Sequence, residues 1–184
     1  MIEFEKPNYK ITDYVESNFY GKFEIEPLER GFGTTLGNAL RRVMLSSLPG
    51  SAISSVKIDG ALHEFQTLEG VIEDVTTIIL NLKKVVIKNH SNDSKVIRLD
   101  VTKEGPVTAG DIERDADIEI INPDLVIANV AKGGKLVAEM TVSNGRGYVR
   151  SEENKKLLDI KKVGVIPIDS LFSPIDRVSY EVES

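Results

Sequence analysis

Residues 28–50, LERGFGTTLGNALRRVMLSSLPG, constrain this chain most, because glycines and a closing Pro-Gly bracket a run with helical apolar spacing. Gly31 and Gly33 admit backbone angles that other residues resist, and Thr34 or Thr35 offers a cap to the first exposed amides. Pro49-Gly50 halts the run, so the spacing predicts a helix over 36–48. At about 100° per residue, Leu36, Leu40, Val43, Met44 and Ser47 share one side, the expected buried stripe. Asn38, Arg41, Arg42 and Leu45 project opposite, with Leu48 at the flank. Guanidinium forks beside aliphatic groups suit a protein partner, since they combine charge-assisted bonds with water exclusion. A solvated face carrying a stray leucine fits the helix alone equally well.

Residues 28–50, then Val56-Lys57-Ile58-Asp59-Gly60 and Leu62-His63-Glu64-Phe65, resemble the amino-terminal domain of the bacterial RNA polymerase alpha-subunit family. Glu73-Asp74-Val75, Leu80-Asn81-Leu82-Lys83, Ile121-Asn122-Pro123, Gly145-Arg146-Gly147-Tyr148 and Arg177-Val178-Ser179-Tyr180 follow in the family's order, so the resemblance covers nearly the whole chain. It implies a non-catalytic subunit that forms a homodimer and then gathers the β and β′ subunits of DNA-directed RNA polymerase. No cofactor or metal is implied, and nucleotidyl transfer falls to the large subunits. The resemblance also implies that Arg42 and Leu45 contact the β subunit, with Arg41, Leu48 and Lys83 in support. Leu36, Leu40, Val43 and Met44 take the place of the dimer-interface and core helix. The family continues beyond the segment at 177–183, through a further helical part and a linker to a DNA-binding domain. The dimerisation subdomain is therefore expected to be truncated at its carboxyl-terminal end here, and its dimer to be weaker.

Charge limits the partners. With 29 acidic against 23 basic residues the net charge is −6, which disfavours the broad basic surface that phosphate backbones select. Direct nucleic-acid binding by this chain is not expected. There is no cysteine, so a reducing compartment fits and disulfides and thiolate metal sites are excluded. Glu3, Glu5 and Lys6 are unlike a signal peptide, and no apolar run approaches the roughly 20 residues that span a bilayer. A cytoplasmic protein without a membrane partner is expected.

Along the chain, residues 1–17 read as an irregular edge and 19–26 as a strand with Phe23 and Ile25 on one face, ended by Pro27. Runs at 53–58 and 61–65 flank Asp59-Gly60, a hairpin-turn dipeptide. Val71, Val75, Ile78, Ile79 and Leu82 predict a helix over 71–83, with Thr76, Leu80 and Lys83 opposite; a lysine at a helix end is also explained by the dipole alone. Short β runs follow at 85–88, 96–101, 117–121, 125–130 and 136–142. Turn signals at 89–94, Gly105-Pro106, Asn122-Pro123, Gly133-Gly134 and Asn144-Gly145 separate them. Residues 151–162 read as a solvated excursion, and 163–168 as a return to the core. Residues 177–183 alternate strictly, with Val178, Tyr180 and Val182 on one face, and are expected to pair with the strand at Phe23 and Ile25. The fold class is then α+β with two subdomains. Residues 1–50 plus 166–184 form a discontinuous dimerisation subdomain, and 51–165 form a β-rich subdomain inserted into it.

Chemical motifs are weak. Gly31-x-Gly33 meets its third glycine at Gly37, one residue late for a dinucleotide loop, and Asn38 stands where a phosphate loop needs lysine. His63-Glu64 lacks the second histidine of a zincin helix. Asp111, Glu113, Asp115, Asp117 and Glu119 would line one face of an extended segment; guarding a strand edge explains them better than recruiting a hard cation. No G-x-S-x-G elbow occurs. Two alternatives come from other classes. One is a small acidic enzyme using paired carboxylates, which needs a carboxyl with a displaced pKa in a concave site. The other is a stand-alone β-rich protein-binding module at 51–165.

Overall fold

A computed structural model describes residues 6–113, 115–157 and 163–183. The chain is α+β with antiparallel strand pairing, and it divides into two compact units, Met1–Val43 with Arg177–Ser184, and Met44–Asp176. Elements are numbered in chain order.

In the first unit β1 (Asn8–Val15) and β2 (Tyr20–Glu26) form an antiparallel hairpin with an irregularity between Ile11 and Asp13. Its turn passes through Phe19 at a left-handed φ of 50°, and a Lys10–Glu26 ion pair ties the open end. A regular strand thus replaces the irregular edge expected there, while Glu3 and Glu5 lie outside the described residues. The helix α1 (Phe32–Ser46) begins earlier than 36, so Thr34 and Thr35 lie inside it instead of capping it. Gly31, at φ +91°, makes the entering turn, closed by the Phe32 amide donating to the Glu29 carbonyl at 3.0 Å.

Residues 177–183 are not a strand and do not pair with β2. They run along α1. Gly33 faces Val182, Gly37 faces Tyr180, and Arg41 Nε donates to the Val178 carbonyl at 3.2 Å. Alternate residues of the tail thus meet helix positions four apart. Period-two alternation specifies an extended segment with one apolar face, and the side-chain-free groove at Gly33 and Gly37 is what that face fits.

The second unit is built on a sheet of β3 (Pro49–Ile58), β4 (Ile87–Asn89), β5 (Lys95–Val101), β7 (Ile118–Ile120) and β9 (Leu136–Arg146) in the order β5-β9-β3-β4-β7, with β11 (Val165–Pro167) also on β3. β6 (Gly105–Thr108) pairs with β8 (Val126–Val130), and β10 (Tyr148–Val149) with β12 (Ser170–Leu171). The helix α2 (Val75–Leu82) buries Val75, Ile78 and Leu82 in a core shared with Val56, Leu99, Ile127, Met140 and Val142. α2 starts later than 71 because Asp74 is its cap, accepting from the Thr77 amide at 2.8 Å. Upstream of it, the Ile72 amide donates to the Asn129 carbonyl at 3.0 Å, so residues before Asp74 are pinned to β8 instead.

Four local expectations give way. Asp59-Gly60 does turn the chain, with Gly60 at φ +86°, but residues 61–65 form no return strand. Gln66 Oε1 accepts from the Leu62 and His63 amides, consuming donors that a ladder needs. Asn144-Gly145 lies inside β9, not at a turn, paired with Ser51 and Gly50. A β-carbon at Gly145 would stand 2.8 Å from the Phe172 ring, so this glycine makes room for a side chain. Ser151–Leu157 is exposed at most positions, as expected, but it is a short helix, α3, with one buried anchor. Its buried Asn154 Nδ2 donates to the Ile168 carbonyl at 2.7 Å and meets Ser170 Oγ at 2.9 Å. The remainder of the 151–162 stretch, from 158, lies outside the described residues. Finally, Ile166 and Ile168 sit in the second unit's core, so residues 166–176 go with the sheet and not with the chain ends.

Candidate functional site

α1 carries four aliphatic residues on its expected stripe, yet none of its residues is buried. Leu40 is 39% exposed and Val43 50% exposed, while Leu36 and Met44 are half-buried. Leu45 and Leu48, expected on the outer side and its flank, are half-buried as well. The covered row within this chain follows Gly33, Gly37 and Met44, which rotates it away from Val43 and toward Leu45. Leu40 and Val43 are therefore not core residues of the chain, which corrects the stripe read from apolar spacing.

Arg41 and Arg42 fall in the first unit, and Leu45, Leu48 and Lys83 in the second. The two arginines are both exposed. Arg41 is turned onto the Val178 carbonyl, and Arg42 follows one position, about 100°, further around the helix.

Lys83 ends α2, its amide donating to the Ile79 carbonyl at 3.0 Å, and its Nζ stands 3.4 Å from Asp169 Oδ2. Asp169 gathers several donors. The Ser151 amide reaches Oδ1 at 2.8 Å, and the Tyr148 hydroxyl and the Lys83 ammonium complete the set. The Ser151 N–H holds its carboxyl below the ordinary range against partial burial, with Tyr148 and Lys83 adding to the effect. Accepting the Tyr148 hydroxyl's hydrogen bond, the Asp169 carboxylate in turn pushes the Tyr148 phenol up, with desolvation and its negative charge adding to the effect. Leu80, Lys83, Ile168 and Asp169 line an open groove of about 200 Å³, and Leu80 is 52% exposed on its rim.

The displaced carboxyls do not fit a general acid, which needs a raised pKa. Glu73 is held low despite partial burial because Asn129 Nδ2 donates to Oε1 at 2.7 Å and the Asn129 amide to Oε2 at 2.6 Å. Asp74 is lowered by Thr77 at the α2 cap. Nor does the acidic run share one face. Asp111 accepts from the Thr108 amide, Asp115 from the Asp117 amide, Asp117 pairs with Lys95 at 2.7 Å, and Glu119 meets His90 at 3.1 Å. The segment bends through a short 3-10 turn before β7, so its acids point to different neighbours. Among the described residues no group of three or more His, Asp or Glu could hold a metal ion, and no helix is long and apolar enough to cross a membrane.

Sequence reasoning missed Asp169 and Asn129, which sit in unremarkable local contexts and acquire roles only through contacts distant in sequence. The Gly33, Gly37 and Arg41 row was findable: its spacing of four matches the spacing of two in Val182, Tyr180 and Val178.

A family model described as RNA polymerase Rpb3/RpoA insert domain matches residues 56–173. The chain is 61% identical over 183 residues to the DNA-directed RNA polymerase subunit alpha of Symbiobacterium thermophilum, a match covering all of this chain and 58% of that protein. It is 58% identical over 184 residues to the protein of that name from Desulforamulus reducens, again 58% of its length, and 56% identical over 183 residues to that of Desulfitobacterium hafniense. The chain thus spans 58% of the length of the curated relatives it matches. With the insert-domain match running through the sheet of the second unit and the likeness to alpha subunits running through the whole of it, the chain belongs to the bacterial RNA polymerase alpha-subunit family.

Proposed function

We propose that this chain is the part of an alpha subunit that dimerises and gathers the β and β′ subunits of a cytoplasmic DNA-directed RNA polymerase, with the catalytic residues on other subunits. The observation that carries this reading is α1, a helix whose Leu40 and Val43 are exposed and which buries no residue within its own chain. An isolated helix near 15 residues is marginal in water, and an exposed aliphatic stripe marks an interaction surface. On this reading Leu36, Leu40, Val43 and Met44 meet a second copy, while Arg42 and Leu45 meet β with Arg41, Leu48 and Lys83 in support. Arg41 already has the Val178 carbonyl, which makes it a brace for the tail more than a contact of its own.

The unit formed by both chain ends is on this reading the dimerisation subdomain, and the unit matched by the insert-domain model is the insertion. Light scattering of the purified chain, followed by titration against purified β subunit, tests the proposal. Concentration-dependent dimers that capture β support it. A strict monomer that leaves β in solution removes it.

A further inference from the structure

Asn144-Gly145 is the one Asn-Gly pair in the sequence, and the fold places it inside the β3–β9 ladder near one end, where Ser51 faces Asn144 and Gly50 faces Gly145. In an open chain this dipeptide reacts with itself. The Gly145 backbone nitrogen gives up its proton and attacks Asn144 Cγ; a C–N bond forms, the Cγ–Nδ2 bond breaks, and the amide nitrogen leaves as ammonia. Water then opens the resulting succinimide at either carbonyl, leaving aspartate or isoaspartate, the latter with an extra methylene in the main chain. Glycine permits the approach because it has no side chain to block it.

We propose that Asn144 is a self-modification site that the fold holds shut, so that its conversion reports opening of the β3–β9 ladder. Burial is not the lock, since Asn144 is exposed to the water that the second step consumes. Geometry is the lock. An extended strand holds ψ near about +135°, which turns the Gly145 nitrogen away from Cγ, and closing the ring requires a rotation that breaks the pairing with β3. The carboxamide is fixed as well. Asn144 Oδ1 accepts from Ser51 Oγ at 2.7 Å, and Nδ2 donates to the Ser91 carbonyl at 2.7 Å and the Asn89 carbonyl at 3.4 Å. Ser51 Oγ is itself positioned by the Asn89 amide at 2.9 Å. Its bond to Oδ1 draws electrons from Cγ and by electronics alone favours attack, so any protection from Ser51 is positional. After conversion a carboxylate faces two carbonyl oxygens, and the ladder cannot re-form as it was.

Peptide mapping by mass spectrometry of the whole chain, aged in mildly alkaline buffer with and without urea, tests this. Conversion at Asn144 should be at least about a hundredfold slower in the folded chain, because the pairing with β3 and the side-chain bonds to Ser51 and Ser91 must open together before the ring can close. Ser51→Ala should speed conversion several-fold in the folded chain, although the electronic effect predicts a slowing. Ser54→Ala, on the same strand but bonded to Thr141 and Ser143, controls for general loosening and should not match it. Should Ser51→Ala not fold, Asn144→Asp replaces it, and a lowered melting temperature is expected from the misplaced carboxylate. Equal rates with and without urea overturn the proposal, as does a Ser51→Ala rate no higher than that of Ser54→Ala, or an Asn144→Asp chain as stable as its parent.

Discussion

Tyr180 fills the space that a side chain on Gly37 would need: a β-carbon there would stand 2.4 Å from Tyr180 Cδ2. Gly37→Ala therefore sets about 1 kcal/mol of helix propensity against displacement of an aromatic ring from the helix groove. The helix should persist while the tail lifts. Chymotrypsin should cut at Tyr180 several-fold faster than in the parent, with helical circular dichroism retained; an unchanged cleavage rate would contradict the packing described.

Arg42 is exposed, so Arg42→Ala removes no core packing and the chain should still fold. Should it be a desolvated anchor for β, Arg42→Ala should still cost about 2 kcal/mol of binding, well over tenfold in affinity. Leu45 differs, because it is half-buried in the free chain and Leu45→Ala should lower both β capture and the melting temperature. Titration of β with thermal melts of each variant separates the two cases, and parent-like binding by both variants disposes of the site.

Val43→Ala should hardly change the melting temperature of the dilute monomer, since the side chain is 50% exposed there. Self-association should weaken instead. Sedimentation over a concentration series reads this directly, and a dimer constant equal to the parent's would remove Val43 from the interface.

Asp169→Asn should remove a pH-dependent stabilisation of about 1 kcal/mol, the usual size for one hydrogen bond. The folded carboxyl lies below its ordinary 3.8, so its contribution is full above that value and is lost as the pH falls through the folded pKa. Tyr148 lies above its ordinary 10.0, so its share is full below that value and is lost as the pH rises through the folded pKa. Parent minus variant should thus form a plateau at neutral pH that declines at both extremes. A difference that grows on acidification would reverse the assigned sign.

The elements were legible where one physical signal dominated. Ile78 and Leu82 gave α2 by spacing, and the alternation in β5 and β9 gave those strands. Boundaries failed where a side chain elsewhere intervened: Asp74 delays α2, and Gln66 prevents a return strand. Asn144-Gly145 misled for a subtler reason. Glycine after asparagine usually serves a turn, but Gly145 answers to the ring of Phe172, nearly thirty residues downstream in a strand pattern that carries no trace of the need. The two sides of α1 were legible as sets of residues and misjudged in their burial. Apolar spacing says which residues share a side of α1, but the groove that decides which side this chain covers is made by Gly33 and Gly37.

The tail along α1 behaves like a vernier. An extended segment advances about 6.6 Å per two residues, whereas helix positions four apart advance about 6 Å and turn by about 40°. Each successive match between Val182, Tyr180 and Val178 and the helix therefore slips slightly in length and swings sideways. Three matches absorb the slip, and the third is made by a long arginine instead of a glycine. A tail of this kind limits its own length: more alternating residues would drift off the groove, so beyond Arg41 the helix, with Val43 exposed, lies outside the tail's reach.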